Sequence, residues 1–222
     1  MLCLWALANA GPDGFFLRDG VHGTPGQVAR IPGLKSETWG TPSVFTESKL
    51  EIIMATTTHV PVEAYLRSCY EPDAEYVDGA IEERAVGEYD HAAWQEAICF
   101  WFRQHAQEWD VRVKPELRIQ VSPTRFRVPD VTVLDRAQPI EQIITHPPLA
   151  VFEILSPEDT VQRLKRKLED YRTMGIPEVW VVDPQDGAYY RYEDGQLLRR
   201  DSFSFAAHGI VFEMDRIKDQ LD

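Results

Sequence analysis

Two acidic residues lie inside apolar segments that otherwise have the composition of β-strands. Asp130 is the third residue of VPDVTVL (128–134), and Glu153 is the fifth residue of LAVFEIL (149–155). Strand interiors favour β-branched and aromatic residues, and a buried carboxylate is costly unless it is paired or binds a metal. Lys167 follows on the next predicted helix. Two carboxylates and an ammonium group in this order predict a metal site that acts on phosphate.

The predicted metal is Mg²⁺ or Mn²⁺, because these ions take hard oxygen ligands from one or two carboxylates, water and a substrate phosphate. Side chains alternate between the faces of a strand, so Asp130 and Glu153 can converge if their strands are neighbours. Lys167 borders the apolar face of its helix and would position a water or stabilise charge on the phosphate. For either carboxylate taken alone, a hydrogen-bonded structural acid is the alternative.

The elements that must position these residues can be predicted from hydrophobic periodicity. Asp78-Gly79 is typical of a type I′ turn in a hairpin over 75–83, and the apolar spacing in 91–107 predicts a helix capped by Asp90. Ser156, followed by Pro157 and two acids, predicts the start of a helix that ends at Gly175. The other predicted elements are a short helix near 62–66, strands at 112–121 and 178–183, a hairpin at 188–200 and a polar helix at 213–221. This order predicts a single mixed sheet with helices on its faces.

The composition bounds the class of protein. A chain of 222 residues with 44% hydrophobic residues can build one full domain. Its three cysteines form no C-x-x-C pair, which argues against a disulfide framework or a zinc knuckle and favours a reducing compartment. We therefore expect a cytoplasmic location. No apolar stretch is long enough to span a membrane.

The N-terminal segment differs from the rest of the chain. Residues 1–53 are rich in Gly, Pro, Ser and Thr and show little periodicity, and Met54 opens a plausible translation start. We interpret 1–53 as an over-extended gene start, with a flexible extension as the alternative, and 54–222 as the folded domain. The domain alone carries a net charge of −12. An acidic protein attracts nucleic acid only through a local basic patch, a metal or a partner subunit.

Four segments, taken together, resemble the Uma family of restriction-endonuclease-like proteins, a branch of the PD-(D/E)XK nuclease superfamily. These segments are VPDVTV from Val128, FEILSP from Phe152, Lys167-x-x-x-Tyr171 and GIPEVWVVDP from Gly175. The resemblance covers the chain from about Met54 to the C-terminus. It implies an α/β fold with a PD-(D/E)XK core, a mixed sheet flanked by helices and added hairpins.

The resemblance also assigns roles. It implies that Asp130 belongs to the PD element and that Glu153 is the second acid. Leu155 stands where the lysine of the E-x-K element would be, and Lys167 would replace that lysine. Many members carry an acid four residues before the helix lysine, whereas this chain has Arg163 there. The backbone carbonyl of Ile154 would assist Asp130 and Glu153 as a metal ligand.

Several further residues are candidates for accessory roles. Glu83 would be a third metal-site acid, or else a solvated surface acid. His91, with Gln95 one turn later, would be a group near the site, or else a core or capping residue. Tyr171, four residues after Lys167, would be a packing residue with a secondary orienting role. The densest basic cluster would contact a phosphate backbone, or else form a solvated helix face; it consists of Arg163, Lys165 and Arg166.

Together with the metal site indicated by the residues, the resemblance implies Mg²⁺- or Mn²⁺-dependent hydrolysis of DNA by an endonuclease. The net charge predicts weak or salt-sensitive binding to DNA, and a homodimer would supply two sites for cutting both strands. One alternative is a catalytically silent interaction or regulatory module with a nuclease fold. Another is an enzyme that hydrolyses a small phosphate ester, which would show a narrow pocket in place of a groove.

Overall fold

The computed structural model describes residues 17–19, 59–70, 73–84 and 87–221. Apart from the strand at Leu17–Asp19, the predictions for residues 1–53 lie outside the described residues. Within the described ranges, none of the helices has the length and apolar character needed to cross a bilayer.

Four helices and thirteen strands make up the described fold. The helices are α1 (Val62–Arg67), α2 (Tyr89–Gln104), α3 (Val161–Met174) and α4 (Asp215–Lys218), with a 3-10 turn at Ala206–His208. The strands are β1 (Leu17–Asp19), β2 (Ala74–Val77), β3 (Ala80–Glu83), β4 (Val111–Pro115), β5 (Ile119–Ser122), β6 (Arg125–Arg127), β7 (Val131–Asp135), β8 (Ala150–Ile154), β9 (Glu178–Asp183), β10 (Ala188–Glu193), β11 (Gln196–Arg199), β12 (Ser202–Phe205) and β13 (Ile210–Glu213).

Seven strands form the main sheet, in the spatial order β1-β11-β10-β9-β8-β7-β4. Strand β8 runs parallel to β9 and antiparallel to β7, so the sheet is mixed. Every residue of β8 and β9 is buried, as the apolar composition of these strands predicts for central strands. The register places Glu153 beside Val181 of β9.

The two faces of the main sheet are covered by different helices. On one face, Phe152 and Ile154 pack with Phe102 of α2. On the other face, Val151 and Leu155 pack with Leu168 of α3. Because side chains alternate along a strand, Glu153 projects towards the α3 side together with Val151 and Leu155. Strand β8 therefore presents its single acid to the helix that carries Lys167.

A second sheet has the order β3-β2-β6-β5. It packs with α1 around a small aromatic core of Tyr65, Tyr76 and Phe126, whose ring centroids lie 5.1 to 6.2 Å apart. The prediction of one sheet was wrong because the predicted strand 112–121 is divided. Pro115 cannot donate a hydrogen bond to a ladder, and Glu116 has a φ of +49°, so β4 and β5 join different sheets.

The predicted helix start at Ser156 was also wrong. The Ser156 amide and hydroxyl donate to the Asp159 carboxylate at 2.9 and 3.1 Å, which forms a turn instead of a helix. Helix α3 begins at Val161, and Thr160 caps it by accepting a hydrogen bond from the Arg163 amide. Helix α2 likewise begins at Tyr89, one residue before the predicted cap.

Other predictions are confirmed. Asp78 and Gly79 both have positive φ in the turn between β2 and β3, as a type I′ turn requires. Gly175 ends α3 in the left-handed conformation, and β9 spans the predicted residues 178–183. The hairpin β10–β11 turns at Asp194-Gly195. The predicted α/β fold with a mixed sheet flanked by helices is thus confirmed.

Candidate active site

Asp130 lies immediately before β7, so its prediction as a mid-strand residue was wrong. Its buried carboxylate accepts three contacts from three elements. The Arg84 guanidinium donates to Oδ1 at 2.6 Å, and the Ile154 amide of β8 donates to Oδ2 at 2.7 Å. The His91 ring nitrogen Nε2 lies 3.3 Å from the same Oδ2. Because Asp130 precedes β7, its side chain can reach Ile154 at the end of β8.

Glu153 projects from the buried strand β8 and receives two donors from α3. The Lys167 ammonium lies 2.6 Å from Oε2, and the Tyr171 hydroxyl donates to Oε1 at 2.6 Å. Lys167 and Tyr171 are four residues apart and therefore share one face of α3. The four-residue spacing of Lys167 and Tyr171 therefore lets both side chains reach the Glu153 carboxylate.

Lys167 also contacts a third acid. Its Nζ lies 3.3 Å from Oε1 of Glu75, a fully buried residue of β2. The same Oε1 accepts a hydrogen bond from the Val128 amide at 3.0 Å. The ammonium group is therefore held between Glu153 of the main sheet and Glu75 of the second sheet.

The pKa values of the two predicted acids move in opposite directions. Burial raises the pKa of Glu153 to about 7, partly offset by Lys167, and the negative charges of Asp130 and Glu75 raise it further. Burial also opposes ionisation of Asp130, but His91, Lys167 and Arg84 outweigh it and lower the pKa of Asp130. The surroundings thus favour the ionised form of Asp130, whereas Glu153 has a pKa near neutral pH.

The pKa values of Lys167 and His91, which both line the cleft, are raised by the neighbouring acids. Burial disfavours the ammonium of Lys167, but the carboxylates of Glu153, Glu75 and Asp130 raise its pKa above the ordinary value. Burial likewise disfavours the imidazolium of His91, and the hydrogen bond and charge of Asp130 reverse this and raise the pKa of His91. The neighbouring carboxylates thus favour the charged, proton-donating form of both groups.

Asp130, Glu153 and Lys167 border one small cleft with a volume of about 30 Å³, room for about one water molecule or ion. The other residues that line the cleft are Arg84, His91, Ile154, Ser156, Asp159 and Arg163. Nearly all of these groups are polar or charged, which suits a small ion or an oxygen atom of an anionic substrate better than an apolar ligand.

The donor set fits Mg²⁺ or Mn²⁺. The described residues contain no group of three or more His, Cys, Asp or Glu side chains arranged to hold a metal. Mg²⁺ is ordinarily bound by one or two carboxylates, with water and substrate phosphate completing its shell. Asp130 and Glu153 can supply those carboxylates, and Ile154, which also lines the cleft, can supply a carbonyl oxygen.

Three of the accessory candidates contact the site. His91 and Tyr171 contact Asp130 and Glu153, as described above, and the Gln95 amide donates to the backbone carbonyl of Asp130 at 2.9 Å. Glu83 does not join them, because its side chain is exposed at the end of β3. Its backbone carbonyl accepts a hydrogen bond from the Arg163 guanidinium. The prediction of Glu83 as the third acid of the site thus finds no support in the geometry.

The basic cluster on α3 is divided. Arg163 lines the cleft, whereas the exposed Lys165 pairs with Glu169 at 3.9 Å and Arg166 pairs with Glu82 at 3.4 Å. Arg163 is thus the one of the three with access to a ligand in the cleft.

Sequence reasoning missed Glu75 and Arg84. Glu75 lies in a short strand beside a hairpin turn, where a polar residue is usually exposed. In the fold its carboxylate is covered by Arg127, the Val128 amide and Lys167. Arg84 follows β3 in a polar segment, and nothing in its neighbours indicates that it reaches Asp130. The alternation in AEYV (74–77) predicts an exposed Glu75, whereas Ala74, Glu75 and Tyr76 are all buried.

A second cluster of charges lies behind the cleft, and we call it the inner cluster; it consists of Glu75, Arg127, Asp170 and Arg125. The Arg127 guanidinium is only 1% exposed and lies 2.9 Å from Glu75 and 2.7 Å from Asp170. Arg125 pairs with the other oxygen of Asp170 at 2.8 Å. The contact between Glu75 and Lys167 connects the inner cluster to the cleft.

The fold is similar to that of a solved protein described as a putative nuclease belonging to DUF820 from Anabaena variabilis. The two chains share 19% sequence identity and superpose with a TM-score of 0.62, over 72% of this chain and 98% of the other. At this identity the likeness concerns the fold. The mixed sheet and its flanking helices define a restriction-endonuclease-like α/β protein.

The model of the Uma2 family, described as a putative restriction endonuclease, matches residues 62–206 of this chain. The chain therefore belongs to that family, and the match runs from α1 through β12. No curated protein matches the chain. The resemblance inferred from the motifs is confirmed.

Proposed function

We propose that this protein is a metal-dependent nuclease that hydrolyses phosphodiester bonds in DNA. The observation that carries the proposal is the convergence of Asp130, Glu153 and Lys167, from a loop, a strand and a helix, on one polar cleft. The family and the nuclease-like fold support the same reaction class. A cytoplasmic location and a homodimer with two clefts belong to this proposal as well.

Each residue has a role that follows from its contacts. Asp130 and Glu153 would hold Mg²⁺ or Mn²⁺, which lowers the pKa of a bound water and neutralises charge on the phosphate when it is bound. Lys167, held between Glu153 and Glu75, would donate to the attacking water or to a phosphate oxygen. Tyr171 fixes the orientation of Glu153 through its second oxygen. Arg163 at the cleft would contact a neighbouring phosphate.

The acidic surface shapes how such a nuclease would bind its substrate. A net charge of −13 opposes DNA at long range, so binding would depend on a few local cations and weaken steeply with salt. We therefore expect cleavage to be fastest at low ionic strength. A partner that supplies positive charge would relieve this dependence.

The test is a cleavage assay with Mn²⁺ on supercoiled, linear and single-stranded DNA. The decisive comparison is Glu153→Gln against Glu178→Gln, because both residues are buried acids on adjacent parallel strands with a raised pKa. Glu178 lies at the opposite end of these strands and pairs with Arg191 at 2.7 Å. We expect cleavage to be lost only in the first variant. Equal loss in both variants, or no cleavage of any DNA form by the wild type, would contradict the proposal.

A second candidate function is a catalytically silent interaction or regulatory module. It is favoured by the fact that all four carboxylate oxygens of Asp130 and Glu153 already accept hydrogen bonds from the protein. Calorimetric titration with Mn²⁺ separates the two candidates. A metal-binding nuclease shows binding that is lost in Asp130→Asn, whereas a silent module shows no binding in either protein.

A further inference from the structure

Arg84 occupies an unusual place for an arginine next to a candidate metal site. Its side chain is only 12% exposed, and its two terminal nitrogens contact different carboxylates. One lies 2.6 Å from Oδ1 of Asp130, and the other lies 3.2 Å from the half-exposed Glu116. Arg84 thus lines the cleft and neutralises one of its acids.

The two oxygens of Asp130 differ in how easily they can be freed. Oδ2 accepts from the Ile154 backbone amide, which cannot move without distorting the central strand β8. Oδ1 accepts from the end of the Arg84 side chain, which can leave by rotation about its own bonds. Any cation that binds Asp130 through Oδ1 would lie next to the guanidinium, and two like charges at such a distance repel each other. Arg84 and a divalent cation therefore compete for Oδ1.

A guanidinium released from Asp130 would remain in the cleft. Arg84 also contacts Glu116 at 3.2 Å, and this contact does not involve Asp130. It would hold the Arg84 side chain in place after its release from Asp130. The guanidinium fork that matches a carboxylate also matches a phosphate. A DNA phosphate that enters beside Glu153 and Lys167 would bring an anion within reach of the same side chain.

We propose that Arg84 exchanges partners during the reaction cycle: it pairs with Asp130 in the metal-free protein, yields Oδ1 to the divalent cation, and then pairs with a phosphate oxygen of the DNA. This inference rests on the proposed function and adds to it a device that couples metal binding to substrate binding. It predicts opposite effects of one substitution on two affinities. A residue that only supports the fold would not produce such opposite effects.

The first measurement is the Mn²⁺ affinity of full-length Arg84→Gln by calorimetry, without DNA. The matched control is Arg191→Gln, which makes the same change in net charge and breaks an arginine–carboxylate pair of 2.7 Å at the other end of the sheet. We expect Arg84→Gln to bind Mn²⁺ about tenfold more tightly than the control, since coupling between close charge pairs is of this order or larger. Arg191→Gln should bind Mn²⁺ as the wild type does.

The second measurement is the affinity for a fluorescent DNA duplex in Ca²⁺, by anisotropy. Arg84→Gln should bind DNA about tenfold more weakly than Arg191→Gln, because it lacks the charged contact to phosphate. Arg84→Lys keeps the positive charge and serves as a second variant if the glutamine variant unfolds. It should bind Mn²⁺ with nearly the wild-type affinity, and DNA more weakly than the wild type because it lacks the fork.

The outcomes separate this inference from the function on which it rests. If the wild type binds Mn²⁺ and Arg84→Gln binds it no more tightly than Arg191→Gln, partner exchange is overturned and the proposed function stands. The inference is also overturned if Arg84→Lys binds Mn²⁺ as tightly as Arg84→Gln, because charge then plays no part. If neither the wild type nor Arg84→Gln binds Mn²⁺, the proposed function fails and takes the inference with it.

Discussion

The cleft and the inner cluster contain the same kinds of residues at nearly the same depth, but they treat their acids differently. In the inner cluster, burial opposes ionisation of Glu75, yet Lys167 and Arg127 outweigh it and lower the pKa of Glu75. In the cleft, burial and two neighbouring carboxylates raise the pKa of Glu153 to about 7. The neighbouring positive charges thus outweigh the cost of burying ionised Glu75, but they do not outweigh it for Glu153.

This difference separates structural from chemical use of buried charge. In the inner cluster, Arg127 stands between Glu75 and Asp170, and Arg125 pairs with the second oxygen of Asp170. In the cleft, Asp130 and Glu153 influence each other directly, and the space beside them is open to a ligand. Removal of a charge should therefore reduce stability in the first region and activity in the second.

The largest expected effect is loss of cleavage in Lys167→Met. Removing one electrostatic stabiliser of a transition state costs roughly 10²–10³-fold in rate, and Lys167 is the ammonium nearest Glu153. Single-turnover cleavage of DNA in Mn²⁺ measures the effect. Lys218→Met on α4 is the control, because Lys218 is exposed and lies outside the cleft. A Lys167→Met rate within tenfold of the control would remove Lys167 from the chemistry.

The next largest effect concerns the inner cluster. Arg127→Met leaves Glu75 and Asp170 without their shared partner, and breaking a buried pair from one side costs about 3–5 kcal/mol. Urea unfolding measures the loss. In the control Arg216→Met, an exposed pair with Asp219 is broken and the loss should stay below about 1 kcal/mol. Similar losses in both variants would mean that the inner cluster does not stabilise the fold.

A pH titration of stability tests the raised pKa of Glu153. Because the folded-state pKa of about 7 exceeds the ordinary value of 4.5, the folded protein holds this proton more tightly than the unfolded chain does. The stabilising contribution is complete below about pH 4.5 and is lost as the pH rises through 7. In EDTA, the free energy of unfolding of the wild type should therefore fall by on the order of 1–3 kcal/mol relative to that of Glu153→Gln between pH 5 and pH 8. A constant difference between the two proteins across this range would show that the pKa is not raised.

The smallest effect is expected on the solvent side of α3. Lys165→Ala removes an exposed cation whose partner Glu169 lies 3.9 Å away, so stability should change by only a few tenths of a kcal/mol. If Lys165 contacts a DNA phosphate, the slope of log affinity against log salt should fall by about 1. An unchanged slope would assign this face of α3 to solvent.

The parts of the site that could be predicted are those that disturb a local pattern. Glu153 interrupts a fully apolar strand, and Lys167 and Tyr171 are spaced to share a helix face, so the sequence alone indicates that they belong together. Asp130 was also recognised, although it precedes the strand instead of lying within it. The central strands and hairpins could be predicted for the same reason, since their signals are short-range.

The parts that could not be predicted depend on pairing between distant segments. Glu75 becomes buried when β2 pairs with β6, and Arg84 acquires its role when it meets Asp130 across 46 residues. The division of 112–121 into β4 and β5 decides which sheet each half joins, and Pro115 alone did not reveal it. Local propensity does not contain these contacts, because each arises from the docking of the second sheet.

The position of the inner cluster has a consequence for the order in which the protein folds. The contact between Glu153 and Lys167 closes a loop of only 14 residues, whereas the contact between Glu75 and Val128 closes one of 53. Short loops close sooner than long ones, because less chain entropy is lost. In a full-length chain that refolds, the helix and its glutamate partner would therefore form first, and the cleft would be complete only when the hairpin β2–β3 docks. The lining of the cleft would then come together late in folding, because Arg84 directly follows the hairpin that docks last.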